Sequence, residues 1–286
     1  MHRRVPVAIV LVLTVALLGA CSTAPQSAVN VPASTRDNVP STQSVPTSTA
    51  KRLSTLTAHH FGGTPAVGAL FPPRSSVHIC TASVVDSATG NLLITAAHCI
   101  SGTGRGYVFA PGYHDGIEPF GSWTVVAAYG SPEWISLQAP QSDFAFLVVA
   151  PREVNGHPEQ IEDVTGGNRL GSAPASGGLV TVPAYAAGRG GDPITCTAPV
   201  YYDATYPAFN CGLYVGGTSG SPWLQHSSHG WVVVGVIGGL HQGGCYPEIS
   251  YSAAFGVAML HTDALAAAGL KTSTFPAAGS DGCNTS

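Results

Sequence analysis

The chain has 286 residues, a formal charge of −4, 9% charged residues and seven cysteines. An acidic balance with so few charges excludes a basic nucleic-acid-binding surface. The cysteines, with 35 Gly and 22 Pro, argue for an extracytoplasmic β-rich domain held by bridges rather than a cytosolic protein.

The first twenty residues read as a signal peptide. Arg3 and Arg4 form a positive n-region and residues 7–18 an apolar stretch too short for an ordinary membrane span. Leu18-Gly19-Ala20-Cys21 resembles a bacterial lipobox, so cleavage before Cys21 is expected to leave a lipidated cysteine on the outer face of the cell membrane. An ordinary secretory signal with an incidental cysteine is the alternative and gives a free secreted protein. Removing Cys21 leaves six cysteines, which can pair fully. Removing Arg3 and Arg4 leaves nine basic residues against fifteen acids.

Residues 22–55 contain seven Ser, six Thr and four Pro among 34 positions and almost no bulky apolar side chains. Such a segment cannot bury enough surface to offset its ordering entropy. We therefore read 21–57 as a tether spanning about 30–40 Å as a coil, with a propeptide as the competing reading. Residues 58–286 form one domain.

Within it, strand-like runs occupy 77–85, 91–95, 107–110, 123–129, 144–149, 179–185 and 231–237, separated by Gly, Pro, Ser and Asn turns. The one persuasive helix is 259–268, ending before Gly269. Tyr201, Tyr202 and Tyr206 read as residues packing a loop, and His226 and His229 as part of a hairpin loop. No Cys or carboxylate stands near the histidine pairs at metal-ligand spacing, so no metal site is expected.

Three segments carry chemistry. Thr95-Ala96-Ala97-His98-Cys99, Ser142-Asp143-Phe144 and Gly216-Gly217-Thr218-Ser219-Gly220-Ser221-Pro222 place His, Asp and Ser in that order, 45 and 76 residues apart. A serine hydroxyl becomes a nucleophile when a neutral imidazole takes its proton, and a carboxylate orients that imidazole. Glycines around Ser219 let backbone N–H groups turn toward an oxyanion, and Gly217 and Ser219 are the expected donors.

From about Val67 onward these motifs resemble the chymotrypsin/trypsin-like serine peptidases. The resemblance implies an all-β fold of two packed antiparallel six-stranded β-barrels with a C-terminal helix, a monomer acting on polypeptides, and catalysis by His98, Asp143 and Ser219 without a cofactor. It implies a Cys80–Cys99 bridge. For the other four, Cys196 with Cys211 and Cys245 with Cys283 is the expected pairing, while Cys211 with Cys245 would mimic a bridge beside the nucleophile in chymotrypsin.

Thr218 stands where trypsin carries the Asp that pairs with a new N-terminus, so activation by that route is not expected. Here the chain is more similar to the bacterial glutamyl-endopeptidase (V8-like) branch. The resemblance puts Leu213 at the pocket position that reads basic side chains in trypsin, and Gly238 and Gly239 on the strand that pairs with bound peptide. His241 is the candidate reader of an acidic P1 side chain, with small or apolar P1 as the competing specificity. Gly238 also occupies the place of a serine that supports the catalytic Asp in trypsin-like enzymes. That departure keeps alive a second reading, a non-catalytic lipid-anchored binding module, and an esterase using the same three residues is a third.

Overall fold

A computed structural model describes residues 56–283; the expected leader, Cys21 and most of the tether lie outside them. Six antiparallel strands close into a barrel: β1 (Val67–Phe71), β2 (Cys80–Val85), β3 (Leu92–Thr95), β4 (Val108–Pro111), β5 (Trp123–Gly130) and β6 (Ala145–Val149), in the order β1-β2-β3-β6-β5-β4. Every residue of β2 and β3 is buried, because both faces of the sheet are covered. Ala82, Val84, Leu93 and Leu147 fill the barrel around Trp123 and Phe109. Their neighbours Val85, Leu92, Ile94 and Phe146 point the other way, onto Val233, Val236, Ala253 and Phe255. Two-sided burial explains why these strands read as continuous apolar runs rather than alternating ones.

The residues they meet belong to a second set of strands: β7 (Leu179–Thr181), β8 (Thr197–Asp203), β9 (Tyr206–Gly212), β10 (Pro222–Ser227), β11 (Gly230–Val236) and β12 (Ile249–Tyr251). These pair in the order β12-β9-β8-β7-β10-β11. A single bridge between Ile237 and Ser252, just beyond β11 and β12, joins the two ends. Inside, Phe209 packs edge-on against Trp223 and Tyr214 at centroid distances of 5.0 and 5.1 Å. The helices are α1 (Pro132–Leu137), α2 (Ile161–Thr165) and, near the C-terminus, α3 (Val257–Ala267).

Several elements escape the sequence pattern. Tyr201, Tyr202 and Tyr206 lie in the β8–β9 hairpin, not in a loop, with Val200 opposite Phe209. His226 is inside β10 and stacks edge-on with Trp231 across the hairpin at 5.2 Å, leaving His229 in the turn. Leu56–Thr57, assigned to the tether, adds a short parallel strand to β9, and His59–His60 pairs with Ile194–Thr195. Backbone pairing of this kind needs no apolar side chain and leaves no periodic trace.

The six cysteines of the domain form Cys80–Cys99, Cys196–Cys211 and Cys245–Cys283, so the alternative Cys211–Cys245 bridge is not made. Closing the 19-residue separation between Cys80 and Cys99 restricts the unfolded chain by roughly 3 kcal/mol in the entropy model. It also fastens the turn carrying His98.

His78 enters β2 with only 1% of its surface exposed. Its ring lies edge-on to Phe71, Tyr113 and Tyr185, 5.4, 5.5 and 6.3 Å away. Burial in this aromatic cage disfavours the imidazolium and lowers its pKa below the ordinary 6.5. The folded state therefore binds fewer protons than the unfolded state between the lowered value and 6.5. Stability contributed by neutral His78 is full above pH 6.5 and is lost as pH falls through that window. Urea midpoints measured from pH 8 to pH 5 should be flat and then fall, and His78→Phe should remove the part of the fall due to this residue.

Candidate active site

Strand β3 runs into a single 3-10 turn, Ala97–Cys99, that presents His98 where the two barrels meet. Asp143 lies at the end of another short turn, Pro140–Ser142, just before β6, and β3 pairs with β6 along Thr95 and Ala145. This pairing brings the two residues together across 45 positions of sequence. The His98 ring donates from Nδ1 to Asp143 Oδ2 at 2.8 Å, and its backbone N–H donates to Oδ1 at 2.9 Å. A carboxylate only accepts, so Nδ1 carries the proton and Nε2 is left as the base.

Asp143 is fully buried, and burying a charge without partners costs several kcal/mol. A third donor comes from the second barrel, where Gly239 N–H reaches Oδ2 at 2.8 Å. This corrects the expectation that Gly238 leaves the carboxylate unsupported. A Cβ on Gly238 would stand 3.0 Å from both the backbone oxygen and Oδ2 of Asp143. A serine would be crowded there, and the next residue's amide supplies the bond instead. Gly239 can aim its N–H this way because it adopts φ +78°, open to glycine at no steric cost.

The nucleophile loop is tied to both barrels. Ser219 C=O accepts from Thr81 N–H at 2.8 Å, and Gly220 N–H donates to Ile237 C=O at 2.7 Å. Gly216 C=O accepts from Ala187 N–H at 2.8 Å, and Thr81 Oγ1 donates to Gly217 C=O at 3.3 Å. Gly217 holds φ +96°, and a Cβ there would run into the Ala187 backbone. The backbone N–H groups of Gly217 and Ser219 donate to no acceptor among the described residues. Thr218, at the position that needs a charge partner in trypsin, is 3% exposed. Both its N–H and its hydroxyl donate to Val215 C=O, at 3.1 and 2.8 Å. The turn thus satisfies itself with neutral groups.

His98 and Ser219 line one cleft of about 540 Å³ together with Tyr214, Gly216, His241 and Asp281. The specificity residues expected from sequence are only partly there. Leu213 is half exposed at φ +79° and lies off the cleft lining, as do Gly238 and Gly239. Strand β11 stops at Val236; Gly238 N–H then donates to Tyr251 C=O at 3.0 Å and Gly239 turns to Asp143. The strand therefore ends before Gly238 and Gly239, which the resemblance placed on it. His241 does reach the cleft.

No protein-family model matches the sequence, and no curated protein does. Solved structures match the fold. The protease Anisep from Arthrobacter nicotinovorans is similar over 74% of this chain and all of its own, at TM-score 0.63 and 25% identity. The thermostable serine protease AL20 from an extremophilic microorganism shares the fold at TM-score 0.61 and 23% identity, over 72% of this chain and 98% of its own. A Glu endopeptidase shares it at 0.56 and 18%, over 75% and 98%. Fold and site together are those of a serine endopeptidase of the chymotrypsin-like class.

Replacing Asp143 by Asn keeps the shape of the side chain but lets it donate, which favours the wrong imidazole tautomer. The variant should still fold, with a lowered melting temperature because its amide NH2 faces a backbone N–H of His98 or Gly239, and should lose roughly 10⁴ in kcat on a peptide substrate. A loss below tenfold would show that Asp143 does not orient the base.

Proposed function

We propose that the protein is an exported endopeptidase that cleaves polypeptides through an acyl-enzyme on Ser219. The observation that carries this reading is the oriented His98, its Nδ1–H committed to Asp143, in the cleft shared with Ser219 beside the two free amides of Gly217 and Ser219. Ser219 Oγ attacks the peptide carbonyl as His98 Nε2 takes its proton. The carbonyl oxygen, now anionic, accepts from Gly217 and Ser219 N–H. His98 then returns the proton to the leaving amine as the C–N bond breaks, and water repeats the sequence on the ester to release the acid. The self-satisfied Thr218 turn supports an oxyanion loop that is ordered without an inserted N-terminus.

His241 is the residue we assign to an acidic P1 side chain, since it is an imidazole on the cleft wall. The Asp281 carboxylate on the same wall accepts from Cys283 N–H at 2.9 Å through Oδ1. Three disulfides fit an oxidising compartment. The lipobox-like Cys21 supports attachment to the outer face of the cell membrane.

The oxidised protein should react with a fluorophosphonate probe, and Ser219→Ala should abolish the labelling while leaving the fold intact. Wild-type protein that is folded yet inert would remove the peptidase reading. On a P1 panel, His241→Ala should lower kcat/KM for Glu by about tenfold or more relative to Leu or Ala. Equal losses on all three would assign the pocket to small or apolar side chains.

A further inference from the structure

Beyond α3 the chain does not simply end on the surface. Phe275, 3% exposed, is inserted in the first barrel's core and exchanges two backbone hydrogen bonds with Gly102. From there the segment takes hold at every second residue. Ala277 C=O accepts from Gln138 Nε2 at 2.6 Å, Gly279 C=O from Gln242 Nε2 at 2.8 Å and Asp281 C=O from His241 Nδ1 at 2.9 Å. Cys283 is bonded to Cys245. With accepting carbonyls at 277, 279 and 281 and the bridge at Cys283, residues 275–283 form a strap bonded along its length.

The strap is fastened to a strained turn. His241 and Gln242 are consecutive non-glycine residues at φ 53° and 52°, a left-handed conformation that such residues avoid unless their surroundings hold them. Here the strap bonds both side chains, and the disulfide closes the turn three residues further on. Asp281 caps the arrangement, its Oδ1 accepting from Cys283 N–H. His241 and Asp281 both line the cleft that contains Ser219.

We infer that the C-terminal strap is a working wall of the substrate cleft, and that Asp281 C=O positions His241 by fixing its imidazole as the Nδ1–H tautomer. A carbonyl oxygen only accepts, so Nδ1 must donate. Nε2, which has no hydrogen-bond partner among the described residues, is then the one ring nitrogen left to meet a P1 side chain. As an acceptor it takes a donor from a P1 amide or protonated acid; as part of an imidazolium it donates to a P1 carboxylate without breaking the bond to Asp281. Asp281 is a positioning residue and the Cys245–Cys283 bridge its anchor. The inference rests on reading this cleft as the peptidase substrate site.

The test compares the full chain with Cys245→Ser/Cys283→Ser by nitrogen-15 histidine NMR at pH 8, fluorophosphonate labelling and the P1 panel. Wild-type His241 should show the Nδ1–H signature. The double variant should lose it, remain reactive toward the probe, and change the Glu-to-Leu ratio of kcat/KM by about fivefold or more, mainly through KM. Should the double variant fail to fold, Gln242→Ala loosens one clamp with the bridge intact, and the same shifts in smaller degree are expected. An Nε2–H tautomer in the wild type, or a variant with unchanged tautomer and P1 ratio, overturns the inference. The two readings fail separately. A wild-type protein that resists the probe while His241 shows the expected tautomer removes the peptidase function and leaves the strap's hold on His241 standing.

Discussion

The structure depends on one buried carboxylate. Asp143 is fully enclosed and receives three N–H bonds, two from His98 and one from Gly239, so it joins the first barrel's histidine turn to the second barrel's strand exit. Hydrogen bonds to a charged group contribute about 1.5–3 kcal/mol each, and an enclosed charge that loses a donor keeps its desolvation cost. The two barrels are thereby held in the one relative placement that satisfies Asp143. That placement also sets Ser219 in the same cleft as His98, because the nucleophile loop hangs from Thr81 in one barrel and Ile237 in the other. Orientation of the base and closure of the interface are the same physical event.

Glycine makes this possible at the points where chain segments converge. Gly239 frees an amide to turn inward, and Gly220, at φ +81°, lies against Thr81 C=O and Thr95 Oγ1 where any Cβ would collide. Gly217 does the same against Ala187. In each case the missing side chain is replaced by a backbone contact, which is why the centre needs few charged residues. Thr218 extends the pattern: a hydroxyl bonded three residues back stabilises the turn without a buried ion pair, and so avoids the desolvation such a pair carries.

How far this was legible in the sequence follows from the same physics. His98, Asp143 and Ser219 stand in short local patterns whose residue types are set by chemistry, so they could be read directly. The first barrel could be read where strands carry Val, Leu and Ile in runs, as at Leu92–Thr95 and Trp123–Gly130. β1 was missed because Val-Gly-Ala-Leu-Phe includes a glycine pressed onto Ala110, a close approach that composition cannot reveal. β8 and β9 were missed because prolines and tyrosines in them mimic a loop, and only the cross-strand pairing of Val200 with Phe209 makes them strands. The donor to Asp143 was sought in a side chain at 238. It comes from a backbone amide at 239, and every residue but proline has one of those, so the sequence carries no mark of it.

The substrate side obeys a different constraint from the catalytic side. The catalytic residues are set by strand pairing and would keep their places whatever followed β11. The cleft wall around His241 is less regular: β11 has ended, two consecutive residues are left-handed, and the turn rests on the short strand β12. A surface loop of that kind would sample several conformations and offer a substrate no fixed shape. Its rigidity is supplied from outside, by a strap whose far end is buried as Phe275 in the opposite barrel and whose near end is a disulfide. On the proposed reading, bond cleavage is built into the sheets, while the choice of substrate also draws on a segment that follows both barrels in the chain. On that reading, changes confined to 276–283 alter selectivity without touching the bonds that orient His98.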